Sequence, residues 1–415
     1  MEQPKERVIY HIDCNAFYAT CECMEHPEWA EVPMAVAGDP ENRCGIILAK
    51  NEKAKAYGIQ TAETGFQALK KCPDLLLVPP HHERYAQISR RVKALFAEYT
   101  DQVESFGLDE AWLDVTGSLQ YFHSSPVQLA NAIRERVKKE IGVTVSVGVS
   151  FNKVFAKLAS DLKKPDATTL ISRENFKRRV WPLPVSALLF VGQHAAEHLQ
   201  SYEIRTIGDL AMCDAAFIEK AMGKGGETLW LCANGEEYSP VRRIGEREMV
   251  KSIGNGMTFR RDLVGWDELK AGIVALSDEV AVRLRTENLR CRAVQVSIRT
   301  PQLKLITRQC QLPFPAKLQS ELVDACMQLL HKHWKENAPV RSLTITAQQL
   351  IQESQTQEQL LLKGNDGTKR DRLENMEKAM QNLRGKYGRG CIAMGCFNHP
   401  ELGIHQPGFK KENLL

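Results

Sequence analysis

The chain has no apolar run approaching the length that crosses a bilayer, and no basic stretch followed by an apolar one near its start. Neither a membrane-spanning nor an exported protein is therefore expected. Its twelve cysteines include no Cys-x-x-Cys pair and are scattered through apolar stretches such as TCECM and VDACMQLL. That excludes a disulfide framework and fits reduced thiols in a cytoplasmic protein. Cys391, Cys396 and His399 lack a fourth partner for zinc. The segment GKGGET at 223 to 228 lacks the Gly-x4-Gly-Lys-Ser/Thr spacing of a phosphate-binding loop and reads as a turn. Net charge is also small, only +4 over 415 residues.

The near-neutrality hides a segregation. Residues 1 to 240 carry 27 basic and 32 acidic side chains, a net of −5, whereas residues 241 to 350 carry 18 and 11, a net of +7. A basic module downstream of an acidic one suits a polyanionic partner as well as it suits a merely soluble basic domain. At 415 residues, with 43% hydrophobic and 26% charged side chains, the chain is globular and long enough for about three domains.

The apolar run VIYHI (8 to 12) has the composition of a buried strand, with Asp13 at its end. Residues 81 to 100 read as a helix. VESFG and AWLDV then flank an acidic turn, a hairpin with Asp109 and Glu110 at its tip. A helix at 126 to 141, the strand VTVSVGV and the helix NKVFAKLASDLKK complete an α+β layer. FVGQHAAEHLQSYEIRTIGDLA reads as two short helices around a turn. From 249 to 350 the pattern is βαββαβ: Leu269, Ile273, Leu276, Val280 and Leu284 recur at helical period, and Val294, Val296 and Ile298 alternate with Gln295, Ser297 and Arg299. One face of that sheet should pack helices and the other remain polar. Residues 351 to 415, polar with one amphipathic helix, read as a loosely attached tail.

If the strands of Asp13 and of the hairpin are neighbours, three carboxylates converge. Left alone they would repel one another, so the cluster makes sense as a cradle for hard dications. Two ions about 3.5 to 4 Å apart support in-line phosphoryl displacement. Spacing alone leaves the alternative of a helix cap and a solvated turn open.

Five segments in order, DCNAFYATCE, KNEKAKAYGI, FGLDEAWLDVT, GVSFNKVFAKLASDLKKP and KSIGNGMTF, resemble the motifs of Y-family DNA polymerases, in particular the bacterial DNA polymerase IV group. The resemblance, running from about residue 7 to 350, implies a multidomain α+β right-hand fold. The palm would be 1–16 and 82–170, small fingers 17–81, a helical thumb 171–240, a linker 241–247, a βαββαβ little finger 248–350 and a tail 351–415.

It also implies roles. Asp13, Asp109 and Glu110 match catalytic ligands of two Mg2+ ions, joined by the backbone carbonyl of Cys14. Tyr18 matches a steric gate against a ribose 2′-hydroxyl, and Phe17 the wall of the sugar and triphosphate pocket. Lys55 and Lys164 match triphosphate contacts. Glu52 stands where many members carry Tyr and is expected to turn away from the phosphates. Asn15 replaces a frequent Asp and is not counted as a ligand. FVGQHAAEHLQ is similar to a helix-hairpin-helix, with Phe190 in place of the first Gly of its turn and Gly192 facing a phosphate. Lys251 and Arg299 would track a DNA backbone from the polar sheet face.

The function so implied is template-directed, low-fidelity DNA synthesis across damage, without proofreading, by a monomer acting on primer-template DNA and deoxynucleoside triphosphates. QEQLLLK (357 to 363) is similar to a tail motif for the sliding clamp, with Lys363 where an aromatic is usual. A palm-type nucleotide cyclase and a DNA-binding relative that has lost catalysis are the competing readings. The first leaves the basic module unexplained, and the retained carboxylates and Tyr18 argue against the second.

Overall fold

The computed structural model describes residues 6–38, 45–246, 249–355, 366–388, 391–392 and 400–404. QEQLLLK, Cys396 and His399 lie outside them. The chain forms two compact units, one ending at Arg247 and one beginning at Glu248. Among the described residues no helix is long and apolar enough to cross a membrane.

The first unit opens with β1 (Ile9–Cys14), α1 (Phe17–Glu25), β2 (Met34–Ala37), β3 (Ile47–Lys50), α2 (Glu52–Ala56), α3 (Gly65–Lys71), β4 (Leu76–Val78) and α4 (His82–Ala97). It continues with β5 (Val103–Ser105), β6 (Glu110–Asp114), α5 (Pro126–Ile141), β7 (Val145–Ser150), α6 (Lys153–Leu162) and β8 (Thr168–Leu170). Five strands form one sheet in the order β5-β6-β1-β7-β8, and β3-β2-β4 form a small separate one. Every residue of β1 and β7 is buried, the polar His11, Asp13, Ser146 and Ser150 included. Tyr10, Ile12, Val92, Leu113, Ile133 and Val147 belong to the core between the large sheet and helices α4 and α5.

Helix α6 lies on the other face of the sheet, closer than side chains would permit. A Cβ on Gly148 would stand 1.9 Å from the Ala156 carbonyl oxygen and 2.4 Å from the Ser160 nitrogen. Glycine in the middle of β7 is thus the condition for the helix to seat.

Short helices follow: α7 (Phe176–Val180), α8 (Gln193–Gln200), α9 (Ile207–Met212), α10 (Ala215–Met222) and α11 (Lys224–Ala233). They are more numerous than the two expected. GKGGET is not a turn as a whole: Gly223, at φ +67°, makes the turn, and the residues from Lys224 begin α11. A Cβ on Gly226 would meet the Ile218 carbonyl oxygen at 2.4 Å, so the glycines serve close helix crossing. The stretch 241–246, expected as a linker, is held within the first unit. Val241 is buried with Ile9, Trp112 and Ala156, Ile244 N–H donates to Asp101 O at 2.9 Å, and Arg242 bonds Glu104.

The second unit contains β9 (Ser252–Leu263), α12 (Trp266–Thr286), β10 (Leu289–Arg299), β11 (Leu305–Ala316), α13 (Gln319–His333), β12 (Val340–Gln352) and α14 (Asp366–Tyr387). Its antiparallel sheet has the order β11-β10-β12-β9. The predicted stripe of α12 and the predicted inward residues of β10 are all buried in one core, together with Leu343, Ile345 and Ala347 of β12.

The helix of the tail, α14, is not loosely attached. Helix α14 docks through charge: Glu377 pairs with Arg285, both nearly inaccessible, and Gln319 N–H donates to Glu377 at 3.0 Å. The buried Lys317 ammonium donates to Glu374 at 2.7 Å and contacts Glu353, while Arg384 donates to Asp278 at 2.7 Å. This face is polar, so hydrophobic periodicity gives no sign that it is a packing face.

Gly148→Ala is expected to destabilise the first unit by about 3 kcal/mol, because the collision is with backbone; thermal melting would measure it. Arg285→Met should cost about 3 kcal/mol by leaving Glu377 buried and unpaired. Acid should act on the same helix. Burial alone raises the Glu374 carboxyl, but hydrogen bonds from Lys317 and Lys378 carry it down to about 2 from 4.5. A depressed carboxyl stabilises the folded form above its unfolded value, and that contribution fades as pH falls from about 4.5 toward 2. Protection of α14 amides from exchange should fall over that window. The Glu377 carboxyl, raised by burial, works in the opposite sense and limits the loss.

Candidate active site

Strand β1 lies between β6 and β7, and its register places Asp13 opposite Glu110 on one side and Ser146 on the other. Cys14 N–H donates to Asp109 O at 3.0 Å, which joins the hairpin turn to the end of β1. The chain then reverses at Ala16, whose left-handed φ of 46° leads into α1. No side chain caps that helix, so its first N–H groups are left to solvent or a ligand.

The carboxylates are not alone. Lys164 Nζ donates to Asp13 Oδ2 and contacts Asp161, both at 2.7 Å. Lys157 Nζ donates to Glu110 Oε2 at 2.8 Å, and His11 Nε2 lies 3.2 Å from the same oxygen. Burial pushes Asp13 up to about 7. Glu110 is also desolvated, yet hydrogen bonds from His11 and Lys157 hold it down at about 2. Burial likewise raises Asp109.

The sequence reading has three carboxylates converging, and the structure differs. Among the described residues no three His, Cys, Asp or Glu side chains stand together as a ready cage. Asp13 and Glu110 face each other, but Asp109 Oδ1 lies 3.6 Å from where a Cβ on Gly107 would be, turned back along its own turn. Lysines stand against two of the three carboxylates, Lys164 against Asp13 and Lys157 against Glu110. The donor set, three carboxylates and a backbone carbonyl at one strand end, remains the all-oxygen chemistry that suits magnesium.

Phe17 and Tyr18 separate cleanly. Phe17 is 3% exposed and belongs to the core, so what it can offer a nucleotide is backbone. Tyr18 is only half buried and stacks on Tyr85, ring centroids 4.2 Å apart and planes 13° from parallel. The Tyr85 hydroxyl donates to the fully buried Glu22, which His81 and Arg84 also contact. The Tyr18 ring thus rests on a locked base.

Lys55 is exposed on α2, and the Glu52 carboxylate lies 3.4 Å from its ammonium. Asn15 is structural. It donates to Ser146 Oγ and accepts from Asp166 N–H, each at 2.9 Å, fixing the segment after Lys164.

Phe190 takes φ +73°, the left-handed conformation a glycine would occupy, with its ring 70% exposed. Gly192 caps α8 with extended backbone. In the second unit, Lys251 is exposed just before β9, and Arg299 ends β10 exposed, donating weakly to Leu303 O at 3.5 Å.

The sequence reading does not single out His11, Lys157, Asp161, Tyr85 or Glu22. The spacing of Lys157, Asp161 and Lys164, at i, i+4 and i+7, was the available signal for the lysines, since it puts them along one line.

Comparison with known proteins agrees with this geometry. Residues 12–161 match the impB/mucB/samB family, and residues 250–361 match the C-terminal domain of the same family. A DNA polymerase IV of Acetivibrio thermocellus is 44% identical over 390 residues, covering 94% of this chain and 97% of the relative. A DNA polymerase IV of Clostridium kluyveri is 35% identical, covering 94% and 98%. A solved Y-family DNA polymerase chimera superimposes with a TM-score of 0.72 at 21% identity, covering 83% of this chain and 99% of that one, which shows the palm, fingers, thumb and little-finger fold. With both family domains matched in order and near-complete relatives at this identity, the chain belongs to the Y-family DNA polymerases, among their bacterial DNA polymerase IV-like members.

Proposed function

We propose that the protein extends a primer 3′-hydroxyl on a DNA template by two-metal nucleotidyl transfer, with low fidelity and across damaged template positions. The observation that carries this is the register of β1 against β6, which sets Asp13 opposite Glu110 while the Asp109 backbone is bonded to Cys14. In this reading residues 1–16 and 82–170 act as palm, 17–81 as fingers, 171–240 as thumb and 248–350 as little finger.

Asp13, Asp109, Glu110 and the Cys14 carbonyl would hold two Mg2+ ions. Bound there, the ions supply activation of the primer hydroxyl and neutralisation at the leaving pyrophosphate. The chain's own residues do the rest. Lys164 can exchange Asp13 for a triphosphate oxygen while Asp161 keeps its stem oriented. The uncapped first turn of α1 and Lys55 offer further donors to the same phosphates. Tyr18, braced on Tyr85, would act in this reading as the gate against a 2′-hydroxyl. Gly192, Lys251 and Arg299 would meet DNA phosphates, a mode that needs no sequence code.

Purified protein with a labelled primer-template, magnesium and single deoxynucleotides should add the complementary nucleotide, and Asp109→Ala should reduce addition to background. Equal activity in that variant would sink the site assignment. Glu52→Tyr removes the carboxylate that engages Lys55 and adds a hydroxyl donor. The KM for the incoming nucleotide should fall by about tenfold, the worth of one hydrogen bond to a charged group, with kcat little changed in steady-state single-nucleotide kinetics.

A further inference from the structure

The turn between β5 and β6 is gripped from α4 by side chains one helical turn apart. Lys93 Nζ donates to Gly107 O at 2.6 Å, and Ser89 Oγ donates to Leu108 O. With the Cys14 N–H on Asp109 O, three successive carbonyls of the turn are pinned. The turn needs this: Gly107 sits at φ +89°, and β5 is a three-residue edge strand. Asp109 Oδ1 folds back over Gly107, the residue whose carbonyl Lys93 holds. The ammonium is half buried, close enough to Asp109 to feel its charge, and among the described residues it forms no ion pair.

We propose that Lys93 is a positioning residue for Asp109. It fixes the backbone of the catalytic turn through Gly107 O, and its charge lies within reach of a carboxylate that, among the described residues, forms no ion pair. Asp13 has Lys164 and Glu110 has Lys157. Ser89 assists by holding the next carbonyl. With the backbone pinned, Asp109 could reach a dication by side-chain torsions alone, with no rebuilding of the turn.

The inference rests on Asp109 being a metal ligand, as proposed above, and the test separates the two. Wild type, Asp109→Ala, Lys93→Met, Lys93→Gln and Ser89→Ala would be compared as complexes with a dideoxy-terminated primer-template and the correct nucleotide. Mn2+ affinity would be read by electron paramagnetic resonance, with no turnover. Thermal melting and single-nucleotide kcat and KM would be read alongside.

Lys93→Met should weaken Mn2+ binding by about tenfold, in the range seen when a partner of a metal ligand is lost. It should lower kcat at saturating nucleotide and leave the affinity for primer-template unchanged. Lys93→Gln, which can still donate to Gly107 O, should recover part of both. Ser89→Ala should show a smaller loss in the same direction. Wild-type Mn2+ affinity and kcat in Lys93→Met would overturn the proposal. So would a loss that Lys93→Gln shares in full and that scales with lowered melting temperature, since that marks a structural role only. If Asp109→Ala itself leaves Mn2+ binding intact, the metal-site assignment fails, and the positioning role with it.

Discussion

The register of β1 between β6 and β7 is the constraint on which the rest depends. Strand side chains alternate with a period of two, so a slip of one residue would turn Asp13 into the core and bring a neighbour to the site. The slip is prevented from both sides. Tyr10 and Ile12 fill the core shared with α4 and α5, while His11 points to the opposite face, against Ser160 and Trp112. With the register fixed, Asp13 has to meet Glu110, and Cys14 has to meet the turn that carries Asp109.

The second dependence is distance. Helix α6 supplies Lys157 and Asp161 and leads into Lys164, and these reach the carboxylates because the helix backbone nearly touches β7 at Gly148. Charge then shapes the site. A buried carboxylate without a counter-charge would be costly, and Asp13 finds one in Lys164 and Glu110 one in Lys157, with the His11 ring beside it. The lysines offset the charge of an acidic strand end whose chemistry suits dications.

The two units use different glue. The first relies on dense apolar packing and on glycines where backbones approach. The second has such a core too, but fastens its C-terminal helix by buried ion pairs among Lys317, Glu374, Arg285 and Glu377. Burying paired charges contributes little net stability, while removing one partner is expensive, so these contacts specify where the helix sits more than they strengthen the unit.

Much of the fold was legible in the sequence, because hydrophobic period reports burial directly. The βαββαβ order, the stripe of α12 and the buried strand ahead of Asp13 follow from that period. The ordered motifs pointed to the family, and the comparisons agree. Other features left no periodic trace. GKGGET looks like a turn because glycine usually marks one, yet its glycines serve a close helix crossing. The tail helix looks detached because its contact face is charged. Tyr18 and Phe17 are adjacent aromatics with nothing in the chain to distinguish them, until burial assigns one to the core and a stacked Tyr85 to the other. The sequence by itself determined which elements form and which residue types are available for chemistry, since propensity and pattern are local. Only the tertiary structure decided which charges meet, because partners such as Lys164 and Asp13, 151 residues apart, are brought together by strand register and helix packing.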